Sequence, residues 1–137
     1  RCYRLRSQSL VQITKDHSLL QEQVDAGLVT PEQALTARHK NLITRALGVE
    51  EAVRPEINEH RVEPGDLYLM CSDGLSDMIK HEVMSAMLGG TRTLPQKAAQ
   101  LVAAANHAGG RDNISVLLVQ ARDDTGKRGL LSRMPGK

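Results

Sequence analysis

The chain has 137 residues, 40% apolar and 25% charged, enough for one ordinary globular core. Two tyrosines are its only aromatics, so the core must be built from Leu, Val, Ile, Ala and Met, and the stacking platforms of a single-strand nucleic-acid binder are missing. The net charge of +2 is too small to imply a polyanionic partner.

Arg1-Cys2-Tyr3-Arg4-Leu5-Arg6 alternates like the middle of a strand. With no initiator Met before it, it reads as the cut end of a longer chain. Ser9 to Thr14 alternates in the same way and predicts a hairpin with it. Asp16-His17-Ser18 offers helix N-caps, Leu19, Leu20, Val24 and Leu28 fall at helical spacing, and Gly27 ends or weakens that helix. Thr30-Pro31-Glu32-Gln33 predicts a second helix start, with Thr as cap, Pro in the first turn and Gln reaching back. Ala37 to Gly48 reads as a short helix or loop.

Glu56 to Val62 alternates weakly and predicts a strand, and Glu63-Pro64-Gly65-Asp66 predicts a turn. Leu67 to Ser72 is a strand. His81 to Leu88 and Pro95 to Ala108 are helices, the second with Ala98, Leu101, Val102 and Ala105 on one face and Gly109-Gly110 at its end. Ile114 to Val119 is nearly continuous in apolar residues, which predicts a strand buried on both faces. From Arg122 the pattern fails, and residues 122–137 read as a basic, disordered tail. Because Leu67–Ser72 would turn straight back from Glu56–Val62, the pairings are antiparallel and the fold class is α+β. Two distant cysteines make no disulfide framework, which suits a cytoplasmic location, and no run is long and apolar enough to span a membrane.

Two carboxylates stand at strand boundaries. Asp73 ends LYLMCSD before Gly74, and Asp112 in GGRDN precedes ISVLLV. If these strands are antiparallel neighbours, the end of one lies beside the start of the other and both carboxylates project from the same edge. Two carboxylates that close repel, so one takes up a proton or a cation sits between them. Oxygen donors suit Mg²⁺ or Mn²⁺. Taken singly, SDG and GRDN are also ordinary turn sequences.

LYLMCSDGLSD followed by a helix, then AANHAGGRDNISVLLV, resembles the C-terminal half of the metal-dependent serine/threonine protein phosphatases (the PPM family, type 2C), bacterial branch. YRLR, ITKDHSLLQEQVDAGLVTPEQA, NLITRALG and EPGDLYLMCSDG follow in the expected order, so the likeness covers residues 1 to about 121. It implies a layered α-β-β-α sandwich of mainly antiparallel sheets, of which this chain is the C-terminal part, with a flap-like segment over about residues 18–48. It implies that Asp73 and Asp112 are ligands of a centre of two or more Mn²⁺ or Mg²⁺ ions. The implied reaction is direct hydrolysis of phosphoserine or phosphothreonine esters in a protein substrate by a metal-activated water, with no covalent enzyme intermediate. The family's other ligands, in Glu-Asp and Asp-Gly motifs, and its phosphate-binding Arg belong to an N-terminal half, so this stretch alone is expected to be inactive. The run ARHKN departs from the His-Pro that many bacterial members carry there.

Three residues support the pair. Gly74 allows a positive φ or a close backbone approach, Asn113 orients Asp112 or simply turns the chain, and Asp77 caps a helix or joins a third metal position. A monomer is expected, without nucleic acid or membrane. The competing readings are a pseudophosphatase or regulatory module of the same fold, and an anionic-surface binder working through the basic tail.

Overall fold

The structure, a computed structural model, describes residues 1–36, 42–45, 48 and 55–123. In chain order the elements are β1 (Cys2–Arg6), β2 (Ser9–Gln12), α1 (Leu19–Asp25), α2 (Pro31–Thr36), β3 (Leu67–Cys71), α3 (Asp73–Ser76), α4 (His81–Gly89), α5 (Leu94–His107) and β4 (Val116–Gln120). They divide into two units, Arg1–Ile13 with Arg61–Lys137, and Thr14–His60.

The first unit is built on one antiparallel sheet in the order β2-β1-β3-β4. The hairpin of β1 and β2 pairs Leu5 with Leu10 and Tyr3 with Gln12. Its two turn residues, Ser7 (φ 49°) and Gln8 (φ 67°), both take the left-handed backbone that matches strand twist in a two-residue connection. In the centre, Leu69 of β3 faces Tyr3 of β1 and Leu118 of β4. Alternation then sorts the side chains. Tyr3, Leu5, Leu10, Leu67 and Leu69 point to a buried face, where Leu75, Ile79, Met84, Leu88, Leu101 and Ala105 close the core. Val11, Met70, Leu117 and Val119 alternate to the other face and are exposed. This is one sheet with its helices on one side, half of the expected sandwich.

Local signals placed the helix starts. The Gln96 side chain accepts from the Thr93 amide at 3.1 Å and starts α5. Lys97 on α5 is buried, and its Nζ donates to the Leu88 carbonyl at 2.5 Å, satisfying a C-terminal carbonyl of α4. In the second unit Ser18 caps α1 by accepting from the Gln21 amide at 3.2 Å. Thr30 and Gln33 exchange reciprocal bonds at 2.9 and 3.2 Å. Ser18 also bridges to Ile43.

Two expectations are corrected. Glu56–Val62 forms no strand: residues 55–65 are exposed, Ile57 at 83%, because β1 and β4 already take both hydrogen-bonding edges of β3. The sheet is antiparallel, but through those partners. Ile114–Val119 is not buried on both faces; β4 starts at Val116 and is an edge strand, with Leu117 55% exposed. Gly27 (φ 70°) turns the chain and ends α1, one of the two outcomes expected of it, and leaves Leu28 exposed. The segment 37–48, apart from residues 42–45 and 48, and the tail beyond 123 lie outside the described residues.

At the start of β3, Asp66 is buried and takes a bidentate pair from Arg6, 2.7 Å to each oxygen. The Glu63 amide (2.9 Å) and Tyr68 hydroxyl (3.1 Å) also donate to it. The hydrogen bonds from Arg6, ahead of the Glu63 amide and Tyr68, hold its carboxyl well below the usual carboxylate range despite burial. A carboxyl depressed in the folded state stabilises the fold above its unfolded value of about 3.9, and that stability is lost as pH falls below it. Urea midpoints of the wild type should therefore drop on acidification from pH 7 to 3. Asp66→Asn should start lower at pH 7 and change less; parallel profiles would show that the Arg6 pair is not the source.

Candidate metal centre

Asp73 lies just beyond the C-terminal end of β3, and Asp112 lies before the N-terminal end of β4. These strands run antiparallel with Cys71 facing Val116, so both aspartate segments leave the same end of the sheet. Ser72 continues the pairing past the last ladder residue. Its amide donates to the Ser115 carbonyl (3.2 Å), and its hydroxyl donates to the Asn113 carbonyl (2.8 Å) and accepts from the Ser115 amide (3.0 Å).

Gly74 brings the two segments into backbone contact. A Cβ placed there would lie well inside contact distance of the Asn113 carbonyl oxygen, 3.0 Å from its carbonyl carbon and 3.3 Å from that of Asp112. Gly74 is buried and its φ is not positive, so of its two expected uses the close approach is the one found. Each carboxylate is steered by the amide that follows it. Gly74 N–H donates to Asp73 Oδ1 at 2.9 Å, and Asn113 N–H donates to Asp112 Oδ1 at 2.6 Å. Asn113 thus holds Asp112 through its backbone. Both aspartates are exposed, and among the described residues neither is in an ion pair.

The Asp77 carboxylate takes a 2.8 Å ion pair from Arg1, whose guanidinium also donates to Ser76 Oγ. No local signal marks Ser72 and Arg1 as belonging to this corner, since a serine before a turn and an arginine in an alternating strand are ordinary. Cys71, next to the site, is half-buried, and burial pushes its thiol up, which disfavours a thiolate nucleophile.

The donors brought together are carboxylate oxygens, which suit a hard divalent ion. Among the described residues no group of three or more His, Cys, Asp or Glu could hold a metal ion.

The chain is 42% identical over 127 residues to the serine/threonine phosphatase stp of Listeria monocytogenes (serotype 4b), covering 93% of this chain and 50% of that protein. Its structure matches the crystal structure of the Mycobacterium tuberculosis serine/threonine phosphatase PstP/Ppp with a TM-score of 0.82 at 38% identity, over 90% of this chain and 52% of that one. The chain belongs to the PPM family of serine/threonine phosphatases. The catalytic domain of PstP in complex with two manganese ions also matches, with a TM-score of 0.76 at 38% identity, over 90% of this chain and 50% of that one. No family model matches the chain. It spans about half the length of the PPM relatives it matches, in agreement with the single sheet seen here. Among the described residues no helix is long and apolar enough to cross a membrane.

Proposed function

We propose that this chain supplies part of the catalytic domain of a metal-dependent phosphatase that hydrolyses phosphoserine and phosphothreonine in protein substrates. The observation that carries this reading is the backbone contact of Gly74 with Asp112 and Asn113, which sets two carboxylates at one sheet end in a PPM fold. Asp73 and Asp112 would hold a divalent ion, Mn²⁺ or Mg²⁺, within a centre of two or more. When bound, the ions lower the pKa of water and offset charge on the phosphoryl oxygens.

The residues of this chain do the positioning. The Gly74 and Asn113 amides each fix one carboxylate oxygen. Ser72 holds the Asp112 loop against the end of β3. Near-octahedral ions need about six donors each, so two carboxylates leave most positions to water and to groups beyond this pair. We assign the exposed apolar face of Val11, Met70, Leu117 and Val119 to contact with the second sheet of the sandwich. Residues about 18–48 are assigned to the flap and 122–137 to a tail. A monomeric, cytoplasmic enzyme in signal transduction, free of nucleic acid and membrane, completes the reading.

The test is phosphate release from a phosphothreonine peptide by the whole protein, with Mn²⁺ or Mg²⁺ and after chelation. Turnover is expected only with metal, falling by at least about 100-fold on chelation, as several kcal/mol of Lewis-acid stabilisation implies. Chelation without effect would sink the assignment. The 137-residue chain alone should bind Mn²⁺ weakly and turn over nothing; robust hydrolysis by it would show that its ligand set is complete.

A further inference from the structure

The one-turn helix α3 carries Asp73 at its first position, yet four residues are too few for a helix to hold its own geometry. Its N-cap, Ser72, makes no side-chain capping bond within it. Tertiary anchors must therefore set the direction of Asp73. Two are inside: Leu75 is fully buried, and Gly74 is pressed on Asn113. The solvent side has a third.

Arg1 reaches the Asp73 turn from both ends. Its carbonyl accepts from the Cys71 amide at 3.0 Å, two residues before Asp73. Its guanidinium donates to Ser76 Oγ and, at 2.8 Å, to Asp77 Oδ1, three and four residues after Asp73. The Asp77 amide in turn donates to the Asp73 carbonyl at 2.8 Å. The side chains of Arg1 and Asp77 are 22% and 30% exposed, so the pair is shielded but not buried.

We propose that Arg1 is a positioning residue for Asp73, acting through an Arg1–Asp77 clamp across the turn, and that Asp77 serves this clamp instead of ligating metal. This rests on the reading that Asp73 binds the divalent ion. An ion pair this exposed adds little to global stability, so breaking it should leave the fold standing. Its effect should show in the metal site, because outer partners of a ligand commonly govern its affinity.

The experiment is an electron paramagnetic resonance titration of free Mn²⁺ with the whole protein, as wild type, Arg1→Ala, Asp77→Ala, the double variant and Arg1→Lys. Phosphopeptide kcat and KM are measured alongside. Both single alanine variants should weaken Mn²⁺ binding by about 10-fold. The double variant should lose no more than either, since both remove the same contact. Arg1→Lys should recover part of the loss, kcat should fall with KM unchanged, and Tm should hold. A loss in Asp77→Ala with none in Arg1→Ala would make Asp77 a ligand and overturn the clamp. Two neutral variants, or losses that add, overturn it as well. A wild type that binds no Mn²⁺ overturns the reading of Asp73, and the clamp with it.

Discussion

Asp73→Asn and Asp112→Asn, each made in the whole protein, are expected to lower phosphopeptide hydrolysis by about 10²–10³-fold, with a parallel loss of Mn²⁺ affinity. Asparagine keeps the size of aspartate and an oxygen that can still accept the Gly74 or Asn113 amide, now at 2.9 and 2.6 Å. The local turn should therefore survive. What goes is the negative charge, and a neutral amide oxygen is a much weaker partner for a hard divalent ion. Because both side chains are exposed, the loss of charge leaves no buried orphan and Tm should move little. Activity lost with Tm retained is the signature of a ligand. Activity retained in either variant removes that residue from the metal set.

Turn and cap chemistry was legible because it is local. Pro64-Gly65 turns into β3, with Gly65 at φ 91°, and Thr30 and Gln33 cap α2 as their spacing predicts. That the Asp73 and Asp112 segments adjoin needed one further step, the antiparallel pairing of β3 with β4, and two apolar strands with an acid at adjoining ends suggested it. Sheet order could not be read the same way. Alternation in Glu56–Val62 looks like a strand, but a strand exists only where a neighbour has a free edge, and β3 had none left. The apolar run of β4 speaks for burial of both faces, while the chain itself covers only one. Lys97 shows the reverse case. A lysine in a helix reads as solvated, and only the packing of α5 on α4 turns it into a buried cap for Leu88.

Gly74→Ala sets two effects of opposite sign against each other. Gly74 sits in α3 with an ordinary negative φ, so helix propensity alone predicts a gain of about 0.5–1 kcal/mol from the added methyl. Packing predicts a loss. The methyl would meet the Asn113 carbonyl, 3.0 Å from its carbon, and backbone held by the Ser72 and Ser115 bonds cannot swing aside as a side chain can. Overpacking of this kind costs about 1–3 kcal/mol, so the loss should win. The displaced group is the Asn113 carbonyl, one residue past Asp112, whose own carbonyl carbon is 3.3 Å from the added methyl, so the strain moves the two carboxylates apart and Mn²⁺ affinity should fall together with the urea midpoint. Gly89→Ala is the matched control. Its methyl meets only the side-chain oxygen of Gln8, at 2.8 Å, which can rotate away, and both measurements should stay near wild type. A Gly74→Ala protein as stable as wild type, with Mn²⁺ binding unchanged, would mean that the two aspartate segments are not held in contact at this glycine.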